Sequence, residues 1–163
     1  MASRIHAIIP RLAIALGLVL PVLVWFTYVQ YTRPYEAPRG TDVFNVVRGR
    51  WEWSPGTGGC FGEWHRIRFA PDYSIMYITA SKPYKGFDGK LDSIAIYDIL
   101  AHTQGWIRGA IRGETRRTTD GRSVVWDLVL RSPDTYAWHR TDWIAGMYTR
   151  EIHRCAERWT GLQ

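Results

Sequence analysis

Cysteine is scarce in this chain: Cys60 and Cys155 are the only two in 163 residues. That excludes a disulfide-dense miniprotein and any four-cysteine zinc site. Lysine is nearly as scarce, three residues against 18 arginines. The basic charge therefore sits on guanidinium groups, which stack on aromatic rings and grip carboxylates in a planar fork. No H-E-x-x-H, no G-x-S-x-G and no activated cysteine setting occurs. The glycine-rich Pro55–Gly59 loop lacks a following Lys-Ser/Thr and a helix, so it reads as a strand connection rather than a phosphate cradle. His65, His102, His139 and His153, with Glu63, Asp98 and Asp142, lack metal-ligand spacing. The expectation is no catalytic residue, no metal site and no cofactor. Convincing soluble helices are missing as well.

What is abundant is aromatic. There are nine Trp, nine Tyr and five Phe, with 15 Gly and eight Pro beside them. Aromatics favour strands, and Gly and Pro punctuate turns. The composition, 46% apolar and 22% charged with net charge +6, describes one folded, β-rich, basic domain.

Residues 12–31 carry no charge. As a helix at ~1.5 Å per residue they cover ~30 Å, the thickness of a bilayer's hydrocarbon core. Trp25, Tyr28 and Tyr31 cluster at the far end, where interfacial aromatics belong. The rival reading is a cleaved signal peptide, which requires small residues after the apolar run. Between Leu18 and Glu36 there is no Ala, Gly or Ser. The expected organisation is a cytoplasmic N-terminus at 1–11, a transmembrane helix at 12–31, a Pro-containing linker at 32–42 and an exported domain at 43–163. Flanking charge barely decides the orientation. The lone cysteine pair favours the oxidising side, although two unrelated buried thiols remain the alternative. The location expected is thus the inner (plasma) membrane, single-pass, with a periplasmic or extracellular domain.

From residue 45 onward, short apolar-alternating runs end in turn signals eight times over. Asp120-Gly121 is the strongest hairpin signal among them. Connections this short make neighbouring strands antiparallel. The expected fold class is all-β, an eight-stranded antiparallel meander closing into a barrel, a strand number that can enclose one small ligand. Strand alternation places Trp51, Trp53, Phe69 and Trp126 inward, with His65 and His139 on inward-capable faces. A second set pairs Trp with Arg on the opposite faces: Trp64 with Arg66 and Arg68, Trp106 with Arg108 and Arg112, and Trp138 with Arg140. That ladder is either a solvated face of cation–π pairs or a docking surface for anionic lipid or a partner protein. Nucleic acid is not expected as a partner of an exported, modestly charged domain.

Gly49-Arg50-Trp51 forms a G-x-W on the first strand, and a basic, Cys155-containing end closes the last. With eight meandering strands, these features resemble the lipocalin and calycin barrels. The resemblance implies that Trp51 packs across the closed barrel end, that Arg154 or Arg158 covers it, and that a cysteine joins the C-terminus to an early loop. The chain departs from the family in lacking a C-terminal helix and in its apolar N-terminal segment.

These readings converge on a membrane-anchored extracytoplasmic barrel that binds a small apolar or anionic amphipathic ligand of the lipid or fatty-acid class. Ligand contacts are expected from Trp51, Trp53, His65, Phe69, Trp126 and His139, with a basic Lys82–Lys85 loop at the rim. The alternative is a non-enzymatic accessory subunit of a membrane protein complex, its barrel filled by side chains. An enzyme on the same scaffold ranks third. The topology has a direct test. Alkaline phosphatase fused after Gln163 and expressed in a bacterial host is expected to be active. An inactive fusion refutes the exported C-terminus, and a mature N-terminus beyond Tyr31 refutes the uncleaved anchor.

Overall fold

The computed structural model describes residues 21, 35–53, 60, 62–86 and 89–156. The chain divides into Met1–Pro34 and a compact unit from Tyr35 to Gln163. The expected transmembrane segment, apart from Pro21, lies outside the described residues, and among those residues no helix is long and apolar enough to cross a membrane. The compact unit starts earlier than residue 43: Tyr35 already packs against the core.

Eight antiparallel strands close into one barrel in sequence order. They are β1 Gly49–Glu52, β2 Trp64–Phe69, β3 Ile75–Lys85, β4 Leu91–His102, β5 Trp106–Ile111, β6 Trp126–Ser132, β7 Thr135–Arg140 and β8 Ile152–Arg154. The meander expected from the turn spacing is therefore the fold. Two local expectations fail. The Asn45–Val47 stretch, read as strand, belongs to a single-turn helix, α1, at Val43–Val47. Asp42 caps it, its carboxylate accepting from the Phe44 N–H at 3.0 Å. Val43, Phe44 and Val47 fall on one helical face and are buried. Burial against the barrel end outweighs the strand preference of the valines. The Lys82–Lys85 segment, read as a loop, continues β3. A register shift between Thr79 and Tyr84 interrupts the β3–β4 ladder there, an irregularity that tolerates Pro83, which has no N–H to donate.

Alpha-helix α1 closes the end of the barrel at which β2, β4, β6 and β8 finish. Phe44 lies 5.1 Å from the Phe69 ring and 4.5 Å from that of Tyr73. Val47, Trp51, Ile67, Met76, Ile107, Leu128, Leu130 and Ile152 fill the interior behind it, all fully buried. The turn from α1 into β1 uses Gly49 at φ +129°, a conformation that L side chains rarely adopt. A Cβ at that position would stand 3.4 Å from Arg154 Nη1.

The seam is short. Strand β8 has three residues, and it pairs with β1 only at Trp51↔Arg154 and Glu52↔His153. The Cys60–Cys155 disulfide, with Cα atoms 5.5 Å apart, ties the two strands just beyond that pairing. The Cys155 N–H donates to the Arg50 carbonyl at 2.9 Å, and the Cys60 N–H donates to Glu52 Oε2 at 3.2 Å. The bridge links positions 95 residues apart. Replacing both cysteines with serine is expected to lower stability by about 4–5 kcal/mol by the loop-closure argument. Chemical unfolding of the oxidised protein and the double variant measures this, and equal midpoints would show that the seam holds without the bridge.

Candidate ligand cavity

The core fills one half of the barrel. The half away from α1 encloses a cavity of about 450 Å³. The register explains the division. Inward positions near α1 carry Ile67, Met76, Ile107, Leu128 and Leu130. Further along the wall they carry Ile78 and Ala80 on β3, Ala95 on β4 and Ile111 on β5, and the two alanines leave space.

The deep wall is aromatic and polar. Tyr136 is fully buried, and its hydroxyl shares a 2.5 Å hydrogen bond with His65 Nε2. Trp51 lies edge-on beneath it, ring centroids 4.8 Å apart. Tyr97 and Trp138 stack 5.2 Å apart on another wall. Trp53 stands over His65 at 5.2 Å and is 41% exposed, so it reaches from the pocket to solvent. Glu63, Trp64, Lys82, Tyr84 and Lys85 line the mouth. Lys82 and Glu63 form an exposed 3.6 Å ion pair, which adds little stability in water.

Burial sets the protonation states inside. Desolvation lowers the His65 pKa from 6.5 to about 4, so the imidazole is neutral at pH 7. Burial raises the Tyr136 and Tyr97 phenols further above their ordinary range. His65 Nδ1 is a buried side-chain atom without a hydrogen-bond partner among the described residues. No group of three His, Cys, Asp or Glu among them could hold a metal ion.

The structure divides the expected ligand set. Trp53 and His65 line the cavity. Trp51 is buried under its floor, donating from Nε1 to the Val47 carbonyl at 2.8 Å. The Arg154 guanidinium lies 4.2 Å from the Trp51 ring centroid. It also donates to the Arg48, Val46 and Pro133 carbonyls and to Asp134. Trp51 and Arg154 thus make the closed-end arrangement that the G-x-W resemblance implies.

Phe69 packs at the α1 end, away from the cavity, beside a shallow depression shared with Arg48, Arg68 and Tyr73. Trp126 does not line the cavity either. It rests edge-on against Trp138 and Trp143, with the Arg116 and Arg140 guanidinium groups stacked over it. His139 is displaced to the other face of β7, where its Nδ1 is hydrogen-bonded to the Met147 carbonyl at 2.7 Å.

One expected surface residue moves the opposite way. Trp138 is 6% exposed and lines the cavity. Strand β7 pairs Leu128↔Trp138 and Leu130↔Tyr136, so Tyr136 and Trp138 share the inward face. Two large aromatics at alternate positions were the available signal, and the Trp–Arg pairing obscured it. Ala137 is buried too; next to it Thr149 bonds the Trp138 backbone along the edge of β7, and the Met147 carbonyl meets His139 Nδ1.

Apart from Trp64 at the cavity mouth and Arg140 at the end of the inward face of β7, the rest of the ladder lies outside, and most of its arginines are paired. Arg108 stacks on Trp106 at 5.2 Å and holds Asp127 through bonds of 2.7 and 2.9 Å. Arg112 pairs with Asp98 and Arg140 with Asp142. Arg50 lies 5.5 Å over Trp64, and Arg66 and Arg68 are exposed on the same strand. Sequence reasoning missed Tyr97 and Tyr136, which alternation alone could have placed.

No protein-family model matches the chain, and no curated protein and no solved structure matches it significantly. The class is therefore defined by geometry. This is an all-β, closed eight-stranded meander barrel, compatible with a lipocalin-like barrel, with an internal cavity at one end.

The neutral His65 predicts a pH dependence. Its folded pKa lies below its unfolded value, so the unfolded chain takes up the proton first as pH falls. Stability is complete above about pH 6.5 and declines by up to about 3 kcal/mol towards pH 4. Unfolding midpoints across that range measure the decline. His65→Gln is expected to flatten it, and an unchanged slope would assign the acid sensitivity elsewhere.

Proposed function

We propose that this chain is a membrane-anchored, extracytoplasmic lipocalin-like barrel that binds a small apolar or anionic amphipathic ligand of the lipid or fatty-acid class. The cavity carries the reading: about 450 Å³ in a closed barrel, lined mainly by aromatic and aliphatic side chains. That volume lies in the range of small-molecule sites. Two of the chain's three lysines, Lys82 and Lys85, stand at the mouth and suit an anionic headgroup. The uncharged run at residues 12–31 supports the anchor, and the disulfide supports an oxidising compartment. An accessory subunit with a filled lumen is the weaker reading, because side chains fill only the α1 half.

Titration with dodecanoic acid is expected to change the tryptophan fluorescence saturably, since Trp53, Trp64 and Trp138 line the cavity. Trp53→Phe should remove part of the signal while preserving binding. Reversing charge at Lys82 and Lys85 should weaken binding several-fold at low salt and less at high salt. No saturable response to any amphiphile would reject the binder.

A further inference from the structure

The end of the barrel closed by α1 carries a concavity of its own. A depression of about 350 Å³ is lined by Arg48, Arg68, Phe69, Ala70, Pro71 and Tyr73. Four of the six are apolar or aromatic, and the other two are exposed arginines with no ion-pair partner among the described residues. Three acids at this end are engaged elsewhere. Asp42 caps α1, the Asp72 carboxylate accepts from the Ser74 N–H and hydroxyl, and Asp134 pairs with Arg154. Apolar groups stand in water beside the arginines. Tyr73 is 36% exposed and held at φ +57°, a conformation rare for a bulky residue. Its ring stacks on Phe44, and its N–H donates to the Ala70 carbonyl at 3.0 Å. Leu100 is 57% exposed and follows Ile99, whose N–H donates to the Ser74 carbonyl at 2.8 Å, so it lies beside the same hairpin.

We infer that this end docks on the surface of an anionic bilayer, with Arg48 and Arg68 holding lipid phosphate and with Tyr73 and Leu100 entering the headgroup layer. This rests on the membrane-anchor part of the reading above and goes beyond it. The chemistry matches: guanidinium forks fit phosphate oxygens, and exposed aromatics settle at the membrane–water interface. Chain length selects a bilayer over a soluble partner. The uncharged run ends at Tyr31, and Tyr35 already packs on the core, its carbonyl 3.5 Å from where a Gly105 Cβ would stand. Gly105 lies in the turn after β4, and His102 at the end of β4 meets the same Phe44 ring, centroids 4.7 Å apart. Tyr35 therefore belongs to the α1 end. The steps from Tyr31 to Tyr35 cover at most ~14 Å of extended chain. With residues 12–31 in a bilayer, Tyr35 and the barrel end it packs on stay within that reach of lipid headgroups. The ligand cavity occupies the other half of the barrel, so its mouth opens away from the docked end.

The test places the full-length protein in nanodiscs of phosphatidylcholine alone and of an equal mixture with phosphatidylglycerol. Modification of individual arginines by phenylglyoxal is followed by peptide mass spectrometry. Each arginine near an anionic lipid surface favours the docked state roughly fivefold. Modification of Arg48 and Arg68 is therefore expected to slow several-fold in the anionic discs. Arg122, exposed in the connection between β5 and β6 at the opposite end, should keep its rate. Hydrogen exchange across residues 70–74 should slow in the same discs, and the double variant Arg48→Gln, Arg68→Gln should lose that slowing. Equal rates in the two discs would overturn the inference and leave the anchor standing. Slowing at Arg122 as large as at Arg48 and Arg68, or exchange at 70–74 that still slows in the double variant, would overturn the assignment to this depression. Inorganic phosphate protecting both arginines in neutral discs as well as the anionic lipid does would mark a site for soluble anions and overturn the docking. Protein that co-purifies with neither disc would overturn the anchor and this inference together.

Discussion

Closure of the barrel depends on a seam of two residue pairs. Strands β1 and β8 are the shortest of the eight, and a ladder that brief would not hold a meander shut. Arg154 reinforces it. Its guanidinium covers Trp51, reaches the carbonyls of Val46 and Arg48 beside α1, and reaches Pro133 and Asp134 in the turn between β6 and β7. One planar fork therefore joins the first strand, its preceding helix and a turn more than 80 residues later in the chain. Lysine has neither the five donors nor the flat face to do this. Gly49 belongs to the same device, because its backbone turn needs positive φ and its missing side chain leaves Arg154 room.

The cavity follows from that anchored end. With α1, Trp51 and Arg154 sealing one end, the large aliphatic side chains pack there and the other half is left with alanines and aromatic walls. Trp51 acts as a floor rather than a contact. Tyr136 connects the two halves, packed on Trp51 below and bonded to His65 above. Loss of fit at the closed end would therefore shift the polar pair in the cavity, although no residue of the seal touches that space directly.

The outer face, and the end of β7 at Arg140, are organised by charge pairing. Arg108, Arg112 and Arg140 each hold an aspartate, and two of the three aspartates lie on other strands of the barrel wall. Stacking on Trp106, Trp126 and Trp143 holds two of these arginines further. The exposed Arg112–Asp98 pair contributes little stability by itself, whereas Asp127 is buried under Arg108 and the Arg140–Asp142 pair is partly covered. Their effect is to keep the arginines in fixed rotamers along the sheet, leaving Arg66 and Arg68 exposed on β2.

Much of this fold was legible in the order of the residues. Alternating runs bounded by turn residues determined eight antiparallel strands, and a meander with two distant cysteines determined where its ends had to meet. Those are local signals with period two, and each strand carries its own. Facing was legible where one side of a strand is plainly aliphatic, as at Ile67 and Ile107. It was ambiguous on β7, where Tyr136 and Trp138 compete with Ala137 and His139, and only pairing with Leu128 and Leu130 resolves it. The helical turn at Val43–Val47, the extension of β3 through Pro83 and the packing of Trp126 against the core rather than along the cavity were decided by tertiary packing. So was the meeting of His65 with Tyr136, 71 positions apart. Sequence determines which face each side chain can take. Which faces meet, and how much space remains between them, depends on strand register and shear, and these exist only once the barrel has closed.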